Sequence, residues 1–373
     1  MTQTATATAT ATITVADARR AIDAKTKPLG SLGRLEDVAV RLSVLQQTLT
    51  PTVERARVCV FGADHGVADE GVSAYPRAVT GEMMRNFDRG GAAINVIAAA
   101  CGATVDVIDV GVDADLASSA NVRNDKVRPG SRNFLREPAM TDDELEAALS
   151  VGASAVRRAT ADGVRVLGLG EMGIGNSTAA AALLSALTHE VSSVTVGRGT
   201  GVSDDILARK CEVVDAAVRL HASRRDSEPN ARELLRCLGG LELAAIAGAA
   251  REAARHGIAV VADGFISTVA ILCAGRMAAG AESAVDLGGA VFFAHRSAER
   301  GHGVALGACE ALNGWDARPL LSLDMRLGEG SGAALAIPIL RAAAAVMSDM
   351  ATFASAGVSA GDNADRHAGD AIA

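Results

Sequence analysis

Six short runs of small aliphatic residues punctuate this chain, and each closes on a glycine or a polar residue near the start of a helical stretch. They are Ala56–Gly66 (ARVCVFGADHG), Ala103–Gly111 (ATVDVIDVG), Val164–Gly173 (VRVLGLGEMG), Val191–Gly201 (VSSVTVGRGTG), Gly257–Phe265 (GIAVVADGF) and Gly289–Ser297 (GAVFFAHRS). Continuous apolarity without alternation is what a strand needs when helices cover both its faces. Helical stretches between such runs supply the crossovers that keep neighbouring strands parallel. The pattern therefore predicts an α/β protein: a doubly wound, mostly parallel six-stranded sheet with flanking helices.

Ligands of such sheets bind outside the carboxyl ends of the strands, which is where the glycines and polar residues of this chain collect. Residues 51–330 carry all the strand signals and form a Rossmann-like catalytic domain. Residues 16–50 and 331–356 read as helix with no strand of their own, a small helical domain built from both chain ends. The Thr/Ala alternation of residues 1–15 is low in complexity and is expected to be a disordered tail, and residues 357–373 a frayed one. The N-terminal stretch lacks the basic segment and apolar core of a signal peptide.

A net charge of −8 argues against nucleic acid as a partner, because phosphate backbones demand a basic face. No uncharged apolar run approaches the ~18 residues of a membrane span. The six cysteines, Cys59, Cys101, Cys211, Cys237, Cys273 and Cys309, are scattered through apolar runs without a C-x-x-C pair. They read as small buried hydrophobes of a reducing compartment, and the expected location is cytoplasmic.

The turn GLGEMGIGNST allows three readings. Gly168-x-Gly170-x-x-Gly173 after an apolar run matches a dinucleotide fingerprint, with Arg198 at the end of the next run favouring NADP over NAD. An NADP-dependent oxidoreductase is thus one candidate. Gly170 to Ser177 nearly matches a P-loop, but Asn176 occupies the lysine position, so nothing reaches a γ-phosphate. The third reading uses only what the residues guarantee. Glycines permit close approach of backbone, and Asn176, Ser177 and Thr178 open a helix whose free N–H groups favour a single phosphate.

GRGTG (Gly197, Arg198, Gly199, Thr200, Gly201) would place a second nest beside the first at the same sheet edge. Lys210, on the following helix, reads from spacing alone as a solvated surface lysine. Asp64, His65, Asp69 and Glu70 share one loop, but no second histidine stands at ligand spacing and no metal site is expected. His295 and His302 read as hydrogen-bonded loop residues.

Near the C-terminal end, MRLGEGSGAALAIPIL sets Glu329 between glycines at the mouth of an apolar helix. Stripping a carboxylate of water is costly unless partners offset the loss. A buried acid gains basicity, since desolvation raises its pKa. A cap for the helix that follows explains the same residue.

Taken together, TKPLGSLGRLE (26–36), ADHGV…EGVSAYP, GEMGIGNST, GRGTG, ADGFIST, AHRSAERGH and LGEGSGAALA resemble the nicotinate-nucleotide:dimethylbenzimidazole phosphoribosyltransferase family, in order, from about Thr26 to Phe353. The resemblance implies a cytoplasmic homodimer. It implies transfer of phosphoribose from nicotinate mononucleotide to dimethylbenzimidazole, in assembly of the cobalamin lower nucleotide loop, without a cofactor. It makes Glu329, of L-G-E-G, the general base and puts Glu171, of G-E-M-G, by the ribose. The phosphate falls to Gly173, Gly175, Asn176, Gly199 and Gly201, with Lys210 near the nucleotide, and Ser177, Gly197, Arg198, Thr200 and Asp263 are further substrate-binding candidates. The benzimidazole pocket maps onto Tyr75, Met83, Met325 and Leu327, and Arg77 stands where many relatives carry glutamine. A non-catalytic nucleotide-binding regulator is a further reading of the same turns.

Overall fold

The computed structural model describes residues 12–199, 201–222, 230–278, 286–312 and 314–359. It divides into two compact units, one comprising residues 53–339 and the other 1–52 with 340–373. The division falls inside the Ser331–Asp349 helix, just after its internal Pro338.

The larger unit is built on six parallel strands in the order β3-β2-β1-β4-β5-β6. They are β1 (Ala56–Ala63), β2 (Thr104–Gly111), β3 (Val122–Asn124), β4 (Val166–Met172), β5 (Ala259–Ala262) and β6 (Val291–Phe293). Strand β5 is buried along its whole length and β4 over all but its last residue, Met172, as the continuous runs required. The order reverses between β1 and β4, where Phe61 pairs with Glu171 and Gly62 with Met172. A sheet of this topology opens its crevice at that switch point.

Five of the six apolar runs became strands. Val191–Gly201 did not: Ser192–Thr195 forms a helical turn, with the Val196 N–H donating to Ser192 O at 2.8 Å. The Thr195 and Ser185 hydroxyls, both buried, bond each other at 2.6 Å. Two serines interrupt the run, and local bonds satisfy the backbone groups that a ladder would need. The sixth strand is instead β3, a three-residue edge piece (Val-Arg-Asn) with two exposed residues, paired to β2 through Val107 and Val122. Its polarity hid it, as suits an edge strand.

The smaller unit joins the two chain ends. The Val15–Asp23 helix starts in a reciprocal cap in which the Thr14 hydroxyl accepts from Asp17 N–H. Lys25 bridges to Thr352, its ammonium donates to Met350 O at 2.7 Å, and Thr26 N–H donates to Ala351 O at 3.0 Å. Lys27 and Glu36, both buried, form an ion pair at 2.9 Å. Among the described residues Ser331–Asp349 is the one helix long and apolar enough to cross a membrane, and 56% of its apolar 18-residue window is buried inside the protein.

Candidate active site

A carboxylate turn stands over the end of β4. Gly328, Glu329 and Gly330 hold consecutive left-handed backbones, with φ of +84°, +65° and +83°. Glycine adopts this freely, but a glutamate there costs roughly 1–2 kcal/mol, so its surroundings must hold it. They do. Glu329 N–H donates to Glu171 O at 3.2 Å, Ser331 N–H to Gly328 O at 3.1 Å, and Gly330 N–H to Asp263 Oδ2 at 3.2 Å. The other Asp263 oxygen accepts from Ala333 N–H at 2.9 Å, so this buried acid caps the Ser331–Asp349 helix.

Glycines let the layers meet. A Cβ on Gly170 would stand 2.3 Å from Gly330 N and 2.5 Å from the Glu329 carbonyl carbon, and one on Gly330 would stand 2.4 Å from Val58 Cγ1. Gly328 packs its Cα face against the Glu171 carboxylate in the same way.

Glu329 is only 5% exposed, and its Oε2 accepts from Ile94 N–H at 3.4 Å. Burial raises its carboxyl above the usual range, opposed by that N–H and reinforced by Asp263. Glu171, equally buried, is pushed up further, first by burial and then by Asp263 and Glu242, against a hydrogen bond from Asn176 Nδ2. Two buried acids of raised proton affinity therefore share one end of the sheet. Beneath them His65 Nε2 and Glu242 Oε1 pair at 2.6 Å in full burial.

A cation borders the same cleft. The Asn176–Thr188 helix begins at Gly175, whose φ is +99°. Lys210, on the Asp204–His221 helix, is 1% exposed and donates to Ser177 Oγ and to Gly197 O, each at 3.1 Å. Burial lowers its ammonium pKa, and the nearby Glu299 charge opposes that fall. A helix N-terminus beside a buried ammonium is a ready anion site. Glu171 and Lys210 both line a solvent-open cleft, about 840 Å³ of space with the open solvent at its mouth included.

A family model described as phosphoribosyltransferase matches residues 8–358 of the chain. The nicotinate-nucleotide–dimethylbenzimidazole phosphoribosyltransferase of Xanthomonas euvesicatoria pv. vesicatoria is 49% identical over 334 residues, covering 90% of this chain and 91% of its own. The chain belongs to the nicotinate-nucleotide–dimethylbenzimidazole phosphoribosyltransferase family. The enzyme of that name from Pseudomonas aeruginosa is 48% identical over 90% of this chain and 92% of its own. CobT from Thermus thermophilus superposes with a TM-score of 0.85 at 47% identity, covering 93% of this chain and 99% of that one.

In this member of the phosphoribosyltransferase family the cleft gathers Glu171, Gly173, Gly175, Asn176, Ser177, Arg198, Gly199, Lys210, Asp263 and Leu327. Glu329 and Gly197 lie just behind its lining, through Gly328 and through the Lys210 bond. Tyr75, Met83, Met325 and Gly201 do not line it: Tyr75 is exposed, and Met325 spends its carbonyl on Ala298 N–H. Thr200 lies outside the described residues. Arg77 stands 3.5 Å from both Asp69 and Asp113.

Two expectations are corrected. Lys210 is not a solvated surface lysine, because its helix turns that face onto Ser177 and the 197–199 loop. The oxidoreductase reading fails: Gly168 and Gly170 lie inside β4, filled against by Val58, Ala333 and Gly330, and form no pyrophosphate turn. Arg198, meant to stand at a strand end, instead bonds Val202 O and Asp204. Sequence reasoning passed over Ser297, Glu299 and Arg326 as cleft residues. The AHRSAERGH motif contained the first two, but nothing in its spacing marked which side chains face a ligand.

Proposed function

We propose that the chain transfers the 5-phosphoribosyl group of nicotinate mononucleotide to dimethylbenzimidazole, giving α-ribazole phosphate and nicotinate, in assembly of the cobalamin lower nucleotide loop. The pyridinium of nicotinate mononucleotide already bears positive charge, so nicotinate departs without a proton from the enzyme, and the chemistry calls for no metal. One benzimidazole nitrogen attacks the anomeric carbon while the other, still protonated, grows acidic. A single base therefore suffices, and Glu329 is that base. Its burial is the reason it accepts the proton well. Attack opposite the leaving ring inverts the β-linkage to α.

The remote phosphate takes the helix N-terminus at Gly175–Ser177, the Gly173 and Gly199 backbone and Lys210, and holds the anomeric carbon in line. Glu171 sits beside the ribose and Leu327 against the incoming ring. The enzyme works as a cytoplasmic homodimer, a reading that its six free cysteines favour for the compartment.

One observation carries this reading. A left-handed, buried glutamate stands just behind the lining of a cleft that a helix N-terminus and a buried ammonium also border. The test is chromatography for nicotinate after incubation with nicotinate mononucleotide. Release that depends on dimethylbenzimidazole supports transfer, whereas nucleotide binding without release points to a regulator.

A further inference from the structure

The cleft holds a further acid that the mechanism above leaves idle. Glu299 lies on the loop after β6, is 9% exposed, and lines the cleft. Among the described residues its Oε2 is buried without a hydrogen-bond partner. The position is built rather than incidental. A Cβ on Gly197 would stand 1.9 Å from that oxygen, so only glycine leaves it room. The loop is tied by Glu299 N–H donating to Ser297 Oγ at 3.3 Å, His302 N–H to Glu299 O at 3.0 Å, and Ser297 N–H to His302 Nδ1 at 2.8 Å. Lys210, whose ammonium feels the Glu299 charge, spends its described bonds on Ser177 and the Gly197 carbonyl. Arg326 is likewise engaged, with Gly199 O at 2.7 Å.

A buried carboxylate oxygen without a donor is costly, and an ionised carboxylate can only accept. The ligand must therefore bring the donor. On the reaction proposed above, the candidates are few. The phosphate dianion and the nicotinate carboxylate only accept, and the pyridinium nitrogen carries no hydrogen. The benzimidazole N–H is the proton that Glu329 removes. That leaves the two ribose hydroxyls.

We infer that Glu299 is a substrate-binding residue that accepts a hydrogen bond from one ribose hydroxyl, and so selects ribonucleotides over deoxyribonucleotides. This rests on the phosphoribosyl-transfer reading. It adds a sugar-specificity determinant beside Gly197. A site built to bond a hydroxyl rejects the analogue that lacks it, because its own acceptor is then stranded.

The experiment compares kcat/KM for nicotinate mononucleotide with its 2′-deoxy and 3′-deoxy analogues, with dimethylbenzimidazole as acceptor. The wild type should disfavour one analogue by about 10- to 100-fold, and in Glu299→Ala that ratio should shrink to below about 3-fold. Gly197→Ala, whose methyl displaces the carboxylate, should weaken the same ratio. A ratio measured on one preparation does not depend on how much of it is folded. An E299A preparation inactive with every substrate passes the decision to Glu299→Gln, where the neutral amide should lower the ratio several-fold. The inference is overturned by a wild type indifferent to both deoxy analogues, or by variants that keep the wild-type ratio. A wild type that releases no nicotinate from nicotinate mononucleotide itself overturns the reaction assignment, a separate and recognisable result.

Discussion

Gly170→Ala tests how the catalytic turn is held without touching the cleft. The new methyl would meet Gly330 N at 2.3 Å and the Glu329 carbonyl carbon at 2.5 Å, contacts with backbone that no rotamer change relieves. Restoring ordinary contact moves either β4 or the Gly328–Gly330 turn by about 1 Å. Overpacking of this kind costs about 1–3 kcal/mol. In a domain of this size that lowers Tm by roughly 2–10 °C. The same displacement carries the Glu329 carboxyl off line, and a misplacement near 1 Å can cost about 10²-fold in turnover. Differential scanning calorimetry and the nicotinate-release assay measure the two effects on one preparation. Gly303→Ala, whose Cβ meets nothing within 4 Å on an exposed helical position, is the control: it should leave kcat unchanged and raise Tm slightly instead of lowering it. A Gly170→Ala enzyme with wild-type Tm and kcat would show that the close packing of β4 on the turn is not what positions the base.

Three further outcomes follow from the same geometry. Lys210→Met should cut kcat/KM for nicotinate mononucleotide by about 10²-fold while barely altering that for nicotinate riboside, which lacks the phosphate; equal losses for both would remove Lys210 from phosphate binding. Because burial raises the Glu329 carboxyl above its ordinary 4.5, the acid limb of kcat should lie above pH 4.5, and a limb at or below it would contradict the assignment. Burial, helped by His295 and Arg296, pushes His302 down to about 3 from 6.5, so between those values the unfolded chain binds the extra proton and the folded state loses stability as pH falls below 6.5. Wild type should therefore lose up to about 1.4 kcal/mol per pH unit relative to His302→Gln in that window, and parallel melting curves would refute it.

The sheet was legible because buried strands advertise themselves as apolar runs, as β1, β4, β5 and β6 did and as β2 did over its buried second half. Strand β3 gave no such signal, and Val191–Gly201 gave a misleading one, because an edge strand and an interrupted run differ from the pattern in opposite ways. Glu329 could be singled out, since an acid between glycines before an apolar helix is unusual; that it takes a left-handed backbone under Asp263 could not. Glycine spacing alone does not say what the glycines make room for. The same G-x-G-x-x-G that opens a dinucleotide turn here lets Gly170 lie against Gly330, far away in sequence. Lys210 shows a related limit. Helical periodicity gave no sign that its face meets Ser177 and the 197–199 loop, and Glu299 gained its meaning only beside Gly197.

The central claim is that Glu329 takes the benzimidazole proton, and Glu329→Gln tests it most directly because the amide keeps size and shape but has no proton affinity to offer. Single-turnover nicotinate release with saturating dimethylbenzimidazole should slow by about 10²–10⁴-fold, with nucleotide affinity little changed. A rate within a few-fold of wild type would mean that the proton leaves by another route.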